Sequence, residues 1–275
     1  MPRGVVNDCR LHAGAYFGGI GARVESSYGL LSQIVHSSGC SLPIHEHAQA
    51  YFSLLLAGDY HESAGGSDWS YRPFDAGFHP ARLPHRDSIG PAGARFLCLE
   101  VSAAALDAAE VRILNFSLLP ADIAVLLLRL YRPLIMGTLS AIDCESAVWE
   151  LCGGIGAATS YPDRGHPAWL RRCLELVEEE FGESLTVQDI ARRSGIHPVH
   201  LSREFRRRFG ESLGEYANKV RVRHACDLMT QDSGPLAAVA AATGFTDQSH
   251  LCRVFKFLLG CTPGEFRGFA RYQVD

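Results

Sequence analysis

Long apolar runs are missing from this 275-residue sequence. None approaches the roughly 18 apolar residues that cross a membrane. The nearest stretch, residues 118–134, is broken by Pro120, Asp122, Arg129 and Arg132, which excludes a spanning helix. The start, Met1-Pro2-Arg3, lacks the apolar core of a signal peptide. Nine cysteines, an odd number without a Cys-x-x-Cys pair, argue for reduced thiols in a cytoplasm rather than a disulfide framework. Lysine is almost absent, with Lys219 and Lys256 alone, so the basic charge is arginine; this reads as coding bias. A net charge of −4 excludes general affinity for polyanions, so any nucleic-acid binding depends on a local patch.

What is present fits a globular protein with room for two domains, 47% hydrophobic. Charge is unevenly spread. Residues 1–164 hold 11 basic and 16 acidic side chains, whereas the window 185–256 holds 11 basic and 7 acidic. That window contains two similar units about fifty residues apart. In each, a short helix stops at a glycine, Gly195 or Gly244, which supplies the left-handed turn conformation. Thr186 and Asp189 form a capping-box-like start for the first short helix. Ala191 and Ala240 are small at matching positions, which allows close helix crossing.

The helix after each glycine has two faces. Leu201, Phe205 and Phe209 make one buried stripe; Leu251, Val254, Phe255 and Leu258 make the other. Val199, Ser202, Arg203, Arg206 and Arg207 point away from the first. Gln248, Ser249, Cys252, Arg253 and Lys256 point away from the second. Arg203 and Arg253 stand in the same place, two residues before a Phe, where a major-groove reading residue sits. Arg206 and Arg207 suit phosphate contacts. A good helix-forming stretch, 213–229, joins the units. Thr262, Pro263 and Glu265 start a last helix as N-cap, N1 and N3.

Residues 167–270 closely resemble the AraC/XylS family of bacterial transcription regulators. The residues carrying this are Ala191, Gly195, Leu201, Arg203, Phe205, Gly210, Tyr216, Arg221, Ala225, Met229, Ala240, Gly244-Phe245, Ser249, Leu251, Arg253, Phe255-Lys256, Gly260, Thr262-Pro263 and Arg267. Two departures stand out. Residues 236–242 are richer in Ala than the family's usual segment, and Phe257 is apolar where a polar residue is usual. The resemblance implies a C-terminal domain that binds double-stranded promoter DNA, with RNA polymerase as a further partner it allows.

Upstream, residues 13–101 read as short strands separated by Gly and Pro clusters, as in a β-barrel or jelly roll. Tyr51–Ala57 is a strand ending in a turn at Gly58. The spacing Gly39-x5-His45-x-His47-x3-Tyr51-x6-Gly58 resembles the first cupin motif, with Tyr where Glu is normal. Pro80 to His85 is similar to the run before the third cupin His. A strand places His45, His47, Gln49 and Tyr51 on one face. With His85, three imidazoles are candidate ligands for Zn, Fe or Ni; a metal-free pocket or a structural His pair is the alternative, and no cofactor is required. His61 and His79 read as solvent-facing or turn histidines. Tyr51, Phe52, Tyr60 and Trp69, with Tyr16 and Phe78, line a candidate effector pocket or form plain core.

Residues 103–116, 120–136 and 143–159 read as helices, with Leu126, Leu127, Leu130 and Leu134 at helical spacing. Such helices carry dimerisation in similar regulators, so a homodimer is expected. The expected class is therefore α+β: a cupin-like sensor barrel (1–102), a helical dimerisation region (103–160), a linker (161–167) and an all-α domain with two helix-turn-helix units (168–275). The expected function is sequence-specific, small-molecule-responsive DNA binding, without enzyme activity or membrane attachment. The alternative is a cupin metalloenzyme, a dioxygenase or isomerase, with DNA binding secondary.

Overall fold

The structure, a computed structural model, describes residues 9–113, 115–119, 121–159, 167–183, 185–231 and 233–271. The chain divides into two compact units, Met1–Gly156 and Ala157–Asp275. The first is mixed α and β; the second is helical.

The first unit holds β1 (Cys9–Leu11), β2 (Gly19–Glu25), β3 (Gly29–His36), β4 (His45–His47), β5 (Ala50–Ala64), β6 (Ser67–Tyr71), β7 (Ala76–His79) and β8 (His85–Val101). Then come α1 (Ala103–Ala108), β9 (Ser117–Leu119), α2 (Ala121–Ile135) and α3 (Ala141–Thr159). Strands β5 and β8 are unusually long, 15 and 17 residues. They pair antiparallel from Ala50 opposite Val101 to Ala64 opposite His85, with register shifts at Leu55/Ala57 and Gly58/Tyr60. There Gly58 (φ 98°) meets Gly93 (φ 73°), and a Cβ on Gly58 would lie 2.0 Å from the Gly93 carbonyl oxygen. Only glycine fits this crossing, and the irregular ladder bends the ribbon.

Each half of the ribbon then joins different neighbours. The end of β8 pairs with β3 and the start of β5 with β7. The start of β8 pairs with β4, His45 opposite His85, and the end of β5 with β6. The result is a curled sheet, a half-barrel. One core cluster draws Ile34, Phe96 and Cys98 from one half and Tyr60, Tyr71 and Ile89 from the other.

Two sequence expectations need correction. The helix over 103–116 is cut to α1. Glu110 takes φ 54°, and β9 pairs with the edge of β7. Phe116 enters the core, so tertiary pairing overrides helix propensity. The single strand from His45 to Tyr51 is two strands. It breaks at Ala48 and Gln49, and Tyr51 belongs to β5.

The second unit comprises α4 (Ala168–Glu179), α5 (Val187–Arg193), α6 (Pro198–Phe209), α7 (Leu213–Gln231), α8 (Leu236–Ala242), α9 (Gln248–Leu259) and α10 (Pro263–Arg271). Residues 160–166, most of the expected linker, lie outside the described residues.

Candidate nucleic-acid interface and a buried histidine cluster

Each helix-turn-helix is built from local signals. Thr186 Oγ1 accepts from Asp189 N at 3.1 Å, and Asp189 Oδ2 accepts from Thr186 N at 3.3 Å, a capping box that starts α5. The turn follows with Gly195 at φ 70°, and Ile196 N donates to Ala191 O at 3.0 Å. The second unit repeats this with Gly244 at φ 74° and Phe245 N donating to Ala240 O at 2.9 Å. His197 caps α6 by accepting from Val199 N at 3.3 Å, and Asp247 caps α9 by accepting from His250 N at 2.7 Å. Gly210 and Gly260, both left-handed, end the two helices.

Leu201 and Phe205 on α6, and Leu251, Phe255 and Leu259 on α9, are buried; Val254 and Leu258 are half-buried, so the second stripe runs through Leu259. On the opposite faces Val199, Ser202, Arg203, Arg206 and Arg207 are exposed, as are Gln248, Ser249, Arg253 and Lys256; Cys252 is half-buried. All ten residues expected at the DNA thus lie on the outer faces of their helices. Arg207 pairs with Glu204 at 2.7 Å and Arg206 approaches Glu215 at 4.0 Å. Among the described residues, Arg203 and Arg253 make no ion pair. A concave surface of about 1040 Å³ beside α6 is lined by Arg203, Arg206 and Arg207, and also by His200, Glu204 and Ser212, which the sequence reading did not single out.

Residues 190–268 match the helix-turn-helix domain family. The chain carries an AraC-type helix-turn-helix domain. HTH-type transcriptional regulator GlxA of Rhizobium meliloti (strain 1021) is 35% identical over 112 residues, 41% of this chain and 34% of that protein. The chain thus spans about a third of that relative's length. Multiple antibiotic resistance protein MarA of Salmonella typhimurium is 27% identical over 106 residues, 37% of this chain and 84% of MarA. A solved transcriptional regulator with an AraC-type DNA-binding domain, from Chromobacterium violaceum, is 27% identical. It covers 43% of this chain and 99% of its own, with a TM-score of 0.37. Among the described residues, no helix is long and apolar enough to cross a membrane.

The first unit contains a second chemically dense place. His45, His47, His79, His85, Glu62 and Asp87 are all buried. Ligand atoms of His45, His47 and His85 lie within 4.8 Å of one another, so the expected triad converges. A second set, Glu62, His79 and His85, satisfies the same limit. Burial and the rings of His85 and His45 push His47 down to about 2, and burial and neighbouring imidazoles lower His45 and His85, so these rings are neutral near pH 7. Burial and the charge of Glu62 raise Asp87 to about 6. Burial raises the Glu62 carboxyl, but His79, His85 and Tyr71 outweigh it and hold it below its usual range.

Tyr51 and Tyr60 line the adjoining cavity, as do Tyr16 and Asp87, and its free volume is about 30 Å³. Phe52 and Trp69 do not line it. Phe52 packs on Phe78, and Trp69 on Phe116. His79 corrects its sequence reading: it is 2% exposed, because its ring stacks on Tyr51 at 4.2 Å and packs against Phe116 at 4.8 Å. Glu62 was missed because the strand was stopped at Gly58. The alternation of buried Tyr60, Glu62 and Ala64 with exposed His61 and Ser63 carries the signal.

Proposed function

We propose that this protein is a sequence-specific, DNA-binding transcription regulator. One observation carries the reading: α6 and α9 present Arg203 and Arg253 at equivalent positions, exposed and without an ion pair among the described residues, opposite buried stripes. Arginine reads guanine through paired hydrogen bonds to O6 and N7. The long α7 suits a spacing of about one turn of DNA, roughly 34 Å, between the two helices. Arg206 and Arg207 contact phosphate in this reading, and RNA polymerase is the further partner at a promoter. The first unit is the sensor, a cupin-like half-barrel in which the buried polar cluster meets a small effector. The effector acts by binding one arrangement of the protein more tightly than another. We read the protein as non-enzymatic and cytoplasmic. A homodimer through α2 and α3 is supported by Met136 and Ile142, exposed at 62% and 77%; sedimentation showing only monomer at micromolar concentration, with and without DNA, overturns that part.

The test uses full-length protein and a duplex selected by it from a random-sequence pool. Arg203→Ala and Arg253→Ala should each weaken that duplex by about 1–3 kcal/mol while sparing scrambled DNA. Arg206→Ala should weaken both DNAs and lower the salt slope by about one. Equal losses on both DNAs for the first pair would remove the base-reading assignment. No loss from any of the three would remove DNA binding through these helices.

A further inference from the structure

Glu62, His79 and His85 come from three adjacent strands, β5, β7 and β8, and are 1%, 2% and 3% exposed. Their far atoms are already engaged. His85 Nδ1 donates to Leu83 O at 3.0 Å, so Nε2 carries the lone pair, which the Tyr51 hydroxyl faces at 3.4 Å. His79 Nε2 lies 3.1 Å from Ser53 Oγ and 3.3 Å from the Tyr71 hydroxyl. The Tyr71 hydroxyl also donates to Glu62 Oε2 at 3.3 Å. That leaves His79 Nδ1 and Glu62 Oε1, which face each other at 3.3 Å without forming a hydrogen bond. With the Tyr71 proton given to Glu62, His79 Nε2 is the donor to that hydroxyl, and in the neutral ring Nδ1 and Glu62 Oε1 are then both acceptors.

Two buried acceptors aimed at one another cost free energy unless something cationic lies between them. Their separation is the edge of a tetrahedron whose bonds are about 2.0–2.1 Å, roughly 3.3 Å. The outward hydrogen bonds of both rings are those that orient metal-ligating imidazoles. The adjoining free volume of about 30 Å³, lined by His79 and also by His45 and His47, has room for a water beside a bound ion and is far less than the ~300 Å³ or more of an organic effector's pocket.

We propose that Glu62, His79 and His85 hold one divalent transition-metal ion in a two-histidine, one-carboxylate set. This names the ligand class of the cluster assigned above to sensing, and rests on that assignment only for its regulatory meaning. The competing set, His45, His47 and His85, is all imidazole and supplies no negative charge to offset a buried dication. His85 offers one atom and belongs to both sets, so they compete for a single ion. Glu62 thus takes over the anionic role that Tyr51, in place of a glutamate, does not fill.

The experiment measures metal alone, without DNA, so its outcome is separable from that of the DNA-binding reading. Tag-free, chelator-stripped full-length protein is titrated with Zn²⁺ against a chromophoric chelator. One equivalent should bind. Glu62→Gln, His79→Gln and His85→Gln should each lose more than the roughly 10–100-fold that outer-shell changes cause, and His47→Gln should lose less. X-ray absorption of the zinc-loaded wild type should count two imidazoles, a reading that needs no variant to fold. No binding by wild type overturns the proposal. So do three imidazoles, or binding abolished by His47→Gln and retained by Glu62→Gln.

Discussion

The two helix-turn-helix units share a plan and differ in where they are constrained. In the first, the turn glycine stands in open space, with nothing within 4 Å of an added Cβ on Gly195. In the second, a Cβ on Gly244 would come within 2.5 Å of the Phe181 carbonyl oxygen and 3.1 Å of Arg221 Nε. The first recognition helix gathers Arg206, Arg207 and Arg208 and restrains two of them with Glu204. The second has Val254, Phe257 and Leu258 at the places of Glu204, Arg207 and Arg208, and Phe257 is 85% exposed. The first short helix has a capping box; the second begins at Pro235 with no side-chain cap. The lesson is a division of labour: basic charge lies mainly in the first helix-turn-helix, and steric definition in the second.

The largest effect should come from breaking the turns. Gly244→Ala combines left-handed backbone strain with a backbone clash and should destabilise the second unit by about 2–4 kcal/mol. Gly195→Ala carries the strain alone, about 1–2 kcal/mol. Hydrogen exchange of the full chain under increasing urea reads both, and equal losses would erase the contrast. Next, Thr186→Ala should cost about 1 kcal/mol in the same measurement. Pro235→Asp should move the other way by a smaller amount, by supplying the cap that α8 lacks. Smaller still, Phe257→Arg should steepen the salt dependence of DNA binding by about one unit without changing preference among sequences. A sharpened preference would mean that this position reads bases. The smallest is Cys252→Ser, half-buried on α9, which should leave binding after oxidant treatment unchanged.

Legibility in the sequence followed the range of the interactions. Helices α5 to α10 announced themselves through periodic apolar stripes, Gly195, Gly244 and the Thr186 and Thr262 caps, all set by neighbours within a turn or two. Asp247 escaped as a cap although its spacing to His250 is equally local. The first unit was harder. His45, His47 and His85 came from the resemblance to cupin motifs, but Glu62 and His79 became neighbours only because β5 runs past Gly58 and pairs with β7 and β8. The short β9 was unreadable because the edge of β7, not its own composition, makes it a strand.

The Phe181 carbonyl oxygen joins these observations. Arg221, on the helix between the two units, donates to it at 3.0 Å and to the Glu183 carbonyl at 3.1 Å, and the Gly244 turn closes over the same spot. One small knot therefore belongs to the entry of the first unit, the connecting helix and the corner of the second at once. Cutting the chain between the units would strand polar backbone on one side and bare an apolar corner on the other. The domain is a duplicated motif that has lost its divisibility: half of it is not a smaller DNA-binding protein but an unfinished one.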